Sequence, residues 1–170
     1  MIRAGIIGAT GYAGAEILRI LAVHPNVEVK WIGSRSYADQ KIASVYGNLF
    51  HVVDLSLIND DTEQMKKEIL NLAEEVDVIF TATPQGACAG LVSRELLEKV
   101  KIIDMSADFR LKDVSVYEAW YKIHHASPEF LPEAVYGLVE INRKDIPSAR
   151  LLANPGCYTT CSILTAYPLV

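Results

Sequence analysis

A glycine-rich turn near the start of the chain constrains the fold more than any other feature. Residues 2–8 form an apolar run that predicts a buried strand, and the turn follows it directly as Gly8-Ala9-Thr10-Gly11-Tyr12-Ala13-Gly14. The spacing G-x-x-G-x-x-G is a variant of the dinucleotide fingerprint, in which glycines let the backbone approach a pyrophosphate at a helix N-terminus. A turn without a ligand is the alternative. The order of strand, glycines and helix favours a nucleotide site made by Gly8, Thr10, Gly11, Tyr12, Ala13 and Gly14.

Strand and helix patterns alternate along the rest of the chain. Strands are predicted at 27–32, 76–82, 100–105, 134–139 and 149–153, and helices at 13–24, 61–74, 91–100 and 157–166. Asp61 or Thr62 is the expected N-cap of the second helix. This alternation predicts an α/β fold: a Rossmann-like, doubly wound, largely parallel sheet with helices on both faces. The stretch 107–132 lacks clean periodicity, and we expect it to form a surface excursion that carries function.

Composition argues against several classes of partner. The 170 residues include 16 Lys and Arg against 21 Asp and Glu, which gives a formal net charge of −5. This balance gives no reason to expect a nucleic acid or an anionic membrane as partner, and no apolar run approaches the ~20 residues of a membrane span. Three cysteines are too few for a disulfide framework, and two of them one helical turn apart make no metal site. We therefore expect a cytoplasmic protein without a metal.

The residues after the second strand bear on the identity of the nucleotide. A site that prefers NAD usually places an acidic residue there, which binds the ribose 2′-hydroxyl. This strand instead continues into Ser34-Arg35-Ser36, and an arginine with two hydroxyls suits a 2′-phosphate. An arginine that is merely exposed in a loop is the alternative. We predict NADP(H) as the cofactor, with its nicotinamide half bordered by a turn that contains Ala82, Thr83 and Pro84.

Cys157 lies in a second turn between a strand and a helix. Pro155 and Gly156 predict a sharp turn that places Cys157 at the first positions of the helix, where the helix N-terminus stabilises a thiolate. A thiolate beside a nicotinamide cofactor suggests thioester chemistry coupled to hydride transfer. A buried structural cysteine is the alternative, and it is our interpretation of Cys88 and Cys161.

Four motifs make this sequence resemble the N-acetyl-γ-glutamyl-phosphate reductases, which are related to aspartate-semialdehyde dehydrogenase. They are GATGY at 8–12, DMSADFR at 104–110, AVYGL at 134–138 and NPGCY at 154–158. The resemblance implies the NADPH-dependent reduction of N-acetyl-γ-glutamyl phosphate to N-acetyl-glutamate semialdehyde and phosphate, a step of arginine biosynthesis. It makes Cys157 the nucleophile that forms a thioester, and it implies a homo-oligomeric full-length enzyme.

Members of this family are much longer than this chain. Their catalytic histidine comes from a second domain that binds substrate and forms the dimer, and the four histidines of this chain match no such motif. We therefore predict an NADP-binding domain at 1–153 and the start of the catalytic region at 154–170, with the rest of the substrate domain absent. Such a chain is expected to bind nucleotide but to turn over poorly or not at all.

The chain departs from the family pattern at three positions. Thr159 and Val139 stand where proline is common, and Cys161 replaces a small residue. None of the three is the nucleophile itself. The departures bear on the exact substrate and not on the reaction type.

Candidate substrate-binding residues are Ser106, Arg110, Asn154 and Tyr158. An acyl phosphate needs a cation and hydroxyl donors, which Arg110 and Ser106 supply, and the other two residues flank the nucleophile. Alternatively, Asp108 and Arg110 pair with each other and are structural. Two other functions stay open: a reductase of another acyl phosphate, such as an aspartyl or aminoadipyl phosphate, and a non-catalytic NADP-binding module.

Overall fold

Seven parallel strands form one sheet in the computed structural model, which describes residues 1–169. Along the chain the strands are β1 (Ile2–Ile7), β2 (Val27–Gly33), β3 (Leu57–Ile58), β4 (Val78–Thr81), β5 (Lys101–Asp104), β6 (Val135–Tyr136) and β7 (Leu151–Ala153). Their order across the sheet is β3-β2-β1-β4-β5-β7-β6, and every neighbouring pair is parallel. The predicted parallel α/β sheet is confirmed.

Helices connect these strands at positions close to those that the sequence predicts. They are α1 (Tyr12–Ala22), α2 (Ile42–Val45), α3 (Thr62–Leu72), α4 (Ala87–Leu91), α5 (Arg94–Lys99), α6 (Val114–Tyr121), α7 (Val139–Asn142) and α8 (Cys157–Ala166). The N-cap of α3 is Asp61, whose carboxylate accepts the N–H of Glu63. Of the residues described, no helix combines the length and the apolar character that crossing a membrane would require.

Helices cover both faces of the sheet. Successive side chains of a strand point to opposite faces, and Ile6 and Ile7 of β1 accordingly belong to two different apolar clusters. Ile6 packs with Leu18 of α1, whereas Ile7 packs with Met65 and Ile69 of α3. The doubly wound arrangement is thus confirmed, and β1 is packed on both of its faces.

Two predicted elements differ from the structure. The helix predicted at 91–100 begins later, as α5 at Arg94, where the Ser93 hydroxyl accepts the N–H of Leu96, and a separate short helix, α4, ends at Leu91. The strand predicted at 134–139 is limited to Val135–Tyr136, and Val139 already begins α7. The short elements β3, α2, α4 and α7 were not predicted, since two to five residues show no periodicity, and neither was α6, which lies in the stretch 107–132.

The stretch 107–132 has many exposed residues, as expected of a surface segment, but it is also anchored in the core, which the prediction did not include. Phe109, Tyr117, His125 and Phe130 are buried. The polar side chains are satisfied inside the fold: His125 Nε2 lies 2.7 Å from the carbonyl oxygen of Asp108. Polarity misled the prediction because buried polar groups with hydrogen-bond partners are compatible with a core.

The strand order places a crevice beside β1. From β1 the chain proceeds to β2 and β3 on one side, and then returns to β4 on the other side. The loops that leave the carboxyl ends of β1 and β4 therefore diverge, which is where open parallel sheets bind ligands.

Candidate functional site

A cavity of about 310 Å³ lies at this crevice. It gathers residues from the turns after β1, β2, β3 and β4, which are Gly8, Thr10, Ser34, Arg35, Ser36, Asp60, Thr62, Ala82, Thr83, Pro84 and Ala87. Eight of these eleven residues are among the predicted cofactor-binding residues. The structure therefore brings together three segments that the sequence singled out separately.

Two glycines give the first turn its shape. Gly8 has a φ of +79°, and a Cβ atom there would lie 2.4 Å from the carbonyl oxygen of Ala82. A Cβ atom on Gly14 would lie 2.1 Å from the carbonyl oxygen of Gly8. The first glycine therefore lets the β1 and β4 loops meet, and the second lets α1 approach the turn.

The remaining turn residues prepare the N-terminus of α1. Gly11 is the N-cap, in an extended conformation, and no side chain caps the helix. Tyr12 and Ala13 follow as exposed residues of the first helical turn. The first N–H groups of a helix lack partners within it, so α1 offers the donors and the positive dipole end that bind a phosphate.

Side-chain contacts fix the turns after β1 and β2 relative to each other. The hydroxyls of Thr10 and Ser34 are 2.7 Å apart, and Tyr46 donates its hydroxyl hydrogen to the Thr10 carbonyl oxygen at 2.8 Å. Arg35 and Ser36 are exposed beside them. This rim of the cavity presents a guanidinium and hydroxyls.

The β4 side carries a polar atom without a partner. Thr83 Oγ1 is shielded from solvent and forms no hydrogen bond within residues 1–169. A buried hydroxyl without a partner costs free energy, and this one belongs to a residue that lines the cavity. The orphaned hydroxyl and the glycine cradle together fit a bound dinucleotide.

The cysteine turn follows β7 as predicted. Gly156 is extended, with φ −75° and ψ 155°, and Cys157 is the first residue of α8. The thiol of Cys157 is free and its residue is exposed. The turn therefore presents an exposed thiol at the N-terminus of a helix.

The other two cysteines differ from each other. Cys88 is buried, as expected, and burial raises the pKa of its thiol, as does the negative charge of Asp104. Cys161 is exposed, so the expectation that it is a buried structural cysteine is wrong. The reason is that α8 buries none of its residues within the part of the chain described.

Arg110 holds the cysteine turn in place through hydrogen bonds to two backbone carbonyl oxygens. Its Nε donates to the carbonyl oxygen of Asn154 and its Nη2 to that of Met105, each at 2.7 Å. Its Nη1 lies 3.1 Å from the point where a Cβ of Gly156 would stand. The guanidinium therefore ties the β5 loop to the turn that precedes Cys157.

Asp108 does not pair with Arg110, which excludes that alternative. Its carboxylate accepts the N–H groups of Gly86 and Ala89, at 2.8 and 2.9 Å, and the hydroxyl of Tyr117 at 2.8 Å. Burial and the hydrogen bond to Asp108 raise the pKa of Tyr117. Asp108 thereby holds the segment after β4 through two backbone N–H groups.

The other predicted substrate residues divide by accessibility. Ser106 is 6% exposed, and its hydroxyl donates to Asp104 Oδ2 at 2.8 Å. This arrangement does not support Ser106 as a direct substrate ligand, because its only hydroxyl hydrogen is engaged within the fold. Asn154 is partly buried and Tyr158 is exposed, on either side of the turn.

Comparison with known proteins decides the family. Residues 3–149 match the model described as "Semialdehyde dehydrogenase, NAD binding domain". The chain belongs to the semialdehyde dehydrogenase family. The resemblance to the N-acetyl-γ-glutamyl-phosphate reductases is also confirmed. This semialdehyde dehydrogenase domain is 60% identical to the N-acetyl-gamma-glutamyl-phosphate reductase of Lachnospira eligens, over 100% of this chain and 47% of that protein. For the protein of that name from Lachnoclostridium phytofermentans, identity is 57% with the same two coverages.

Solved structures agree on the fold. An aspartate semialdehyde dehydrogenase with NADP from Candida albicans covers 100% of this chain at a TM-score of 0.64 and 16% identity, over 47% of its own length. Aspartate semialdehyde dehydrogenase II from Vibrio cholerae covers 99% at a TM-score of 0.66 and 17% identity, over 42% of its own length. These likenesses establish the fold. The chain spans about half the length of the curated relatives it matches.

Three residues of the semialdehyde dehydrogenase cavity were not predicted as site residues, namely Asp60, Thr62 and Ala87, and Asp60 has the closest contact with the glycine turn. Asp60 accepts the N–H of Gly8 through Oδ2 at 2.7 Å, across 52 positions of sequence. Burial raises the pKa of Asp60, while the hydrogen bond from Gly8 and the charge of Arg35 act in the opposite direction. No local sequence signal points to Asp60, although in the folded structure Gly33 makes room for it, since a Cβ there would stand 2.7 Å from that of Asp60.

Proposed function

We propose that this chain is the nucleotide-binding and nucleophile-bearing part of an enzyme that reduces N-acetyl-γ-glutamyl phosphate to N-acetyl-glutamate semialdehyde and phosphate. The observation that carries the proposal is an exposed cysteine at the first residue of α8, in a sheet whose crevice holds a dinucleotide cradle. The 60% identity to a reductase of that name, over the whole chain, supports this acyl group.

The cofactor of the proposal is NADP(H). Gly8, Gly11 and Gly14 shape the cradle, and the backbone from Thr10 to Ala13 faces the pyrophosphate. Ser34, Arg35 and Ser36 hold the 2′-phosphate through charge-assisted hydrogen bonds. Ala82, Thr83 and Pro84 border the nicotinamide half, where the free Thr83 hydroxyl gains a partner. When bound, the reduced nicotinamide supplies the hydride that brings the acyl group to the aldehyde level.

Cys157 performs the covalent step of the proposal. Its thiolate attacks the carbonyl carbon of the acyl phosphate, the bond from that carbon to the phosphate oxygen breaks, and phosphate leaves with the electron pair. The product on the chain is a thioester. The backbone N–H of Cys157, among the unpaired donors that begin α8, stabilises the developing oxyanion.

Neighbouring residues position this nucleophile. Arg110 holds the turn through the Asn154 carbonyl, and its remaining N–H donors suit the phosphate of the substrate. Asn154 and Tyr158 flank the acyl group. These roles require no movement of the β5 loop, which Asp104 already fixes through the hydroxyls of Thr81 and Ser106.

The division of labour within the complete enzyme is part of the proposal. Residues 1–153 bind the nucleotide, and residues 154–170 begin the catalytic region, whose histidine and acyl pocket lie beyond this chain. The enzyme is homo-oligomeric and works in the cytoplasm, where its three free thiols stay reduced. The chain alone binds nucleotide and turns over poorly.

Acyl transfer to the thiol tests this function. The chain is incubated with N-acetyl-γ-glutamyl phosphate, acid-quenched and digested, and the thioester is located by mass spectrometry. We expect one acyl group on Cys157, none in Cys157→Ser, and full labelling in Cys161→Ser, a matched change one helical turn away. Faster acylation by aspartyl or aminoadipyl phosphate would identify that acyl phosphate as the substrate instead. NADPH binding without any acylation of Cys157 would favour a non-catalytic nucleotide module.

A further inference from the structure

Strand β2 has no acidic residue at its carboxyl end, but the segment after β3 supplies one, Asp60. The two strands run parallel, with Ile32 opposite Leu57 and Gly33 opposite Ile58, so their carboxyl ends meet at one edge of the sheet. Asp60 follows β3 by two residues and lines the same cavity as Arg35. The cavity therefore contains both a carboxylate and a guanidinium.

The fold holds this carboxylate in place closely. The Gly8 N–H binds one oxygen, Oδ2, at 2.7 Å, and Asp60 is only partly buried where it lines the cavity. The absence of a side chain on Gly33 is what admits Asp60, because a Cβ there would lie 2.9 Å from Oδ2. Ser34 donates its N–H to the Ile58 carbonyl oxygen at 2.9 Å, which fixes the spacing of the two strand ends.

The two charges favour different nucleotides. A carboxylate at this edge of the sheet accepts a hydrogen bond from the ribose 2′-hydroxyl of NADH, whereas a guanidinium binds the 2′-phosphate of NADPH. Burial raises the pKa of Asp60, whereas the hydrogen bond from Gly8 and the positive charge of Arg35 act in the opposite direction. The Arg35 guanidinium attracts an incoming 2′-phosphate, and the Asp60 carboxylate repels it.

We propose that Asp60 is a specificity-determining residue, which lowers the preference for NADPH over NADH below what Arg35 alone would give. The inference rests on the proposed nucleotide site and adds a second function to it. Asp60 also positions the phosphate loop through Gly8, and the two roles are separable because asparagine retains the acceptor and removes the charge.

Calorimetric titration of the 170-residue chain with NADPH and with NADH tests this role. Asp60→Asn keeps an oxygen for the Gly8 N–H, and we expect the ratio of NADPH to NADH affinity to rise by roughly tenfold, mainly through tighter NADPH binding. Asp61→Asn is the matched control. It removes an equal charge one residue away at the N-cap of α3, where asparagine caps equally well, and the ratio should stay unchanged. Asp60→Ala, which removes the acceptor, should weaken both nucleotides.

The outcomes separate the inference from the function on which it rests. An equal change of both affinities in Asp60→Asn would show that the carboxylate only holds the loop, which overturns the specificity role and leaves the nucleotide site intact. Binding of neither nucleotide by a wild-type chain with native circular dichroism would overturn both. If Asp60→Asn does not fold, Asp60→Ser, which also retains an oxygen acceptor, gives the same comparison.

Discussion

The glycine turn after β1 and the cysteine turn after β7 have the same local design, a strand followed by a tight turn and a helix, but they are supported differently. The helix after the glycine turn buries Gly14 and Leu18, and its loop contacts the turns after β2, β3 and β4. The helix after the cysteine turn buries nothing within the described residues, and its contacts lie near its beginning, from Arg110 to Asn154 and from Tyr136 to Thr159. The nucleotide half of the site is therefore supported by more elements of the fold than the catalytic half.

Substitution of Gly14 should disrupt the nucleotide half with the largest effect. In Gly14→Ala the new methyl group meets the backbone oxygen of Gly8 at 2.1 Å, and backbone has little room to move away. We expect NADPH affinity to fall by about a hundredfold or more, equivalent to about 3 kcal/mol, as measured by calorimetry.

A neighbouring glycine provides the control for this steric argument. A Cβ on Gly11 has its nearest contact at 3.5 Å, an ordinary distance. Gly11→Ala at the N-cap should cost no more than about 1 kcal/mol. Equal losses in the two variants would mean that glycine flexibility, and not the close approach of α1, makes the cradle.

Removal of the His125 side chain should destabilise the whole domain without affecting one half of the site more than the other. Nδ1 of His125 accepts the N–H of Ser127, which assigns the hydrogen to Nε2 and its bond to Asp108. We expect His125→Ala to lower the free energy of unfolding by about 2–4 kcal/mol, measured in urea. His124→Ala removes an exposed imidazole and should change that free energy by less than about 1 kcal/mol.

Arg110→Lys should weaken the catalytic half of the site and leave the nucleotide half unchanged. A lysine ammonium cannot bind two carbonyl oxygens with the planar fork of a guanidinium, so the turn before Cys157 loosens. We expect acylation of Cys157 to slow by about tenfold, with NADPH affinity unchanged. A parallel loss of NADPH affinity would show that the two halves share a support through the β5 loop.

The smallest effect concerns the opposite end of the sheet. Arg3 pairs with Asp77 at 2.8 Å and lowers the pKa of that carboxyl to about 2. Since the pKa is depressed in the folded state, the pair stabilises above the ordinary value of about 4, and the contribution disappears as the pH falls toward 2. Urea midpoints of wild type and Asp77→Asn should converge over that range, and neither half of the site should change.

Local signals allowed the glycine half to be predicted from the sequence. The turn, the start of α1 and the cap of α3 each depend on a few adjacent residues, and the structure places each of them as predicted. Asp60 could not be predicted in the same way, because its contact with Gly8 spans 52 positions and β3 has only two residues. The contact of Arg110 with Asn154 spans 44 positions. The sequence indicated a phosphate ligand at Arg110, and only the packing revealed the anchor.

The position of β7 between β5 and β6 also determines the order in which this domain is completed during synthesis. β6 pairs with β7 and with no other strand of the described residues, so it emerges from the ribosome before its partner exists. The sheet can be completed only after the chain up to Ala153 has left the ribosome, and long-range parallel pairing of this kind is slow. The last strand to be synthesised is thus the one that gives β6 its place in the sheet and delivers the cysteine, so a nascent chain acquires its nucleotide cradle before it acquires its nucleophile.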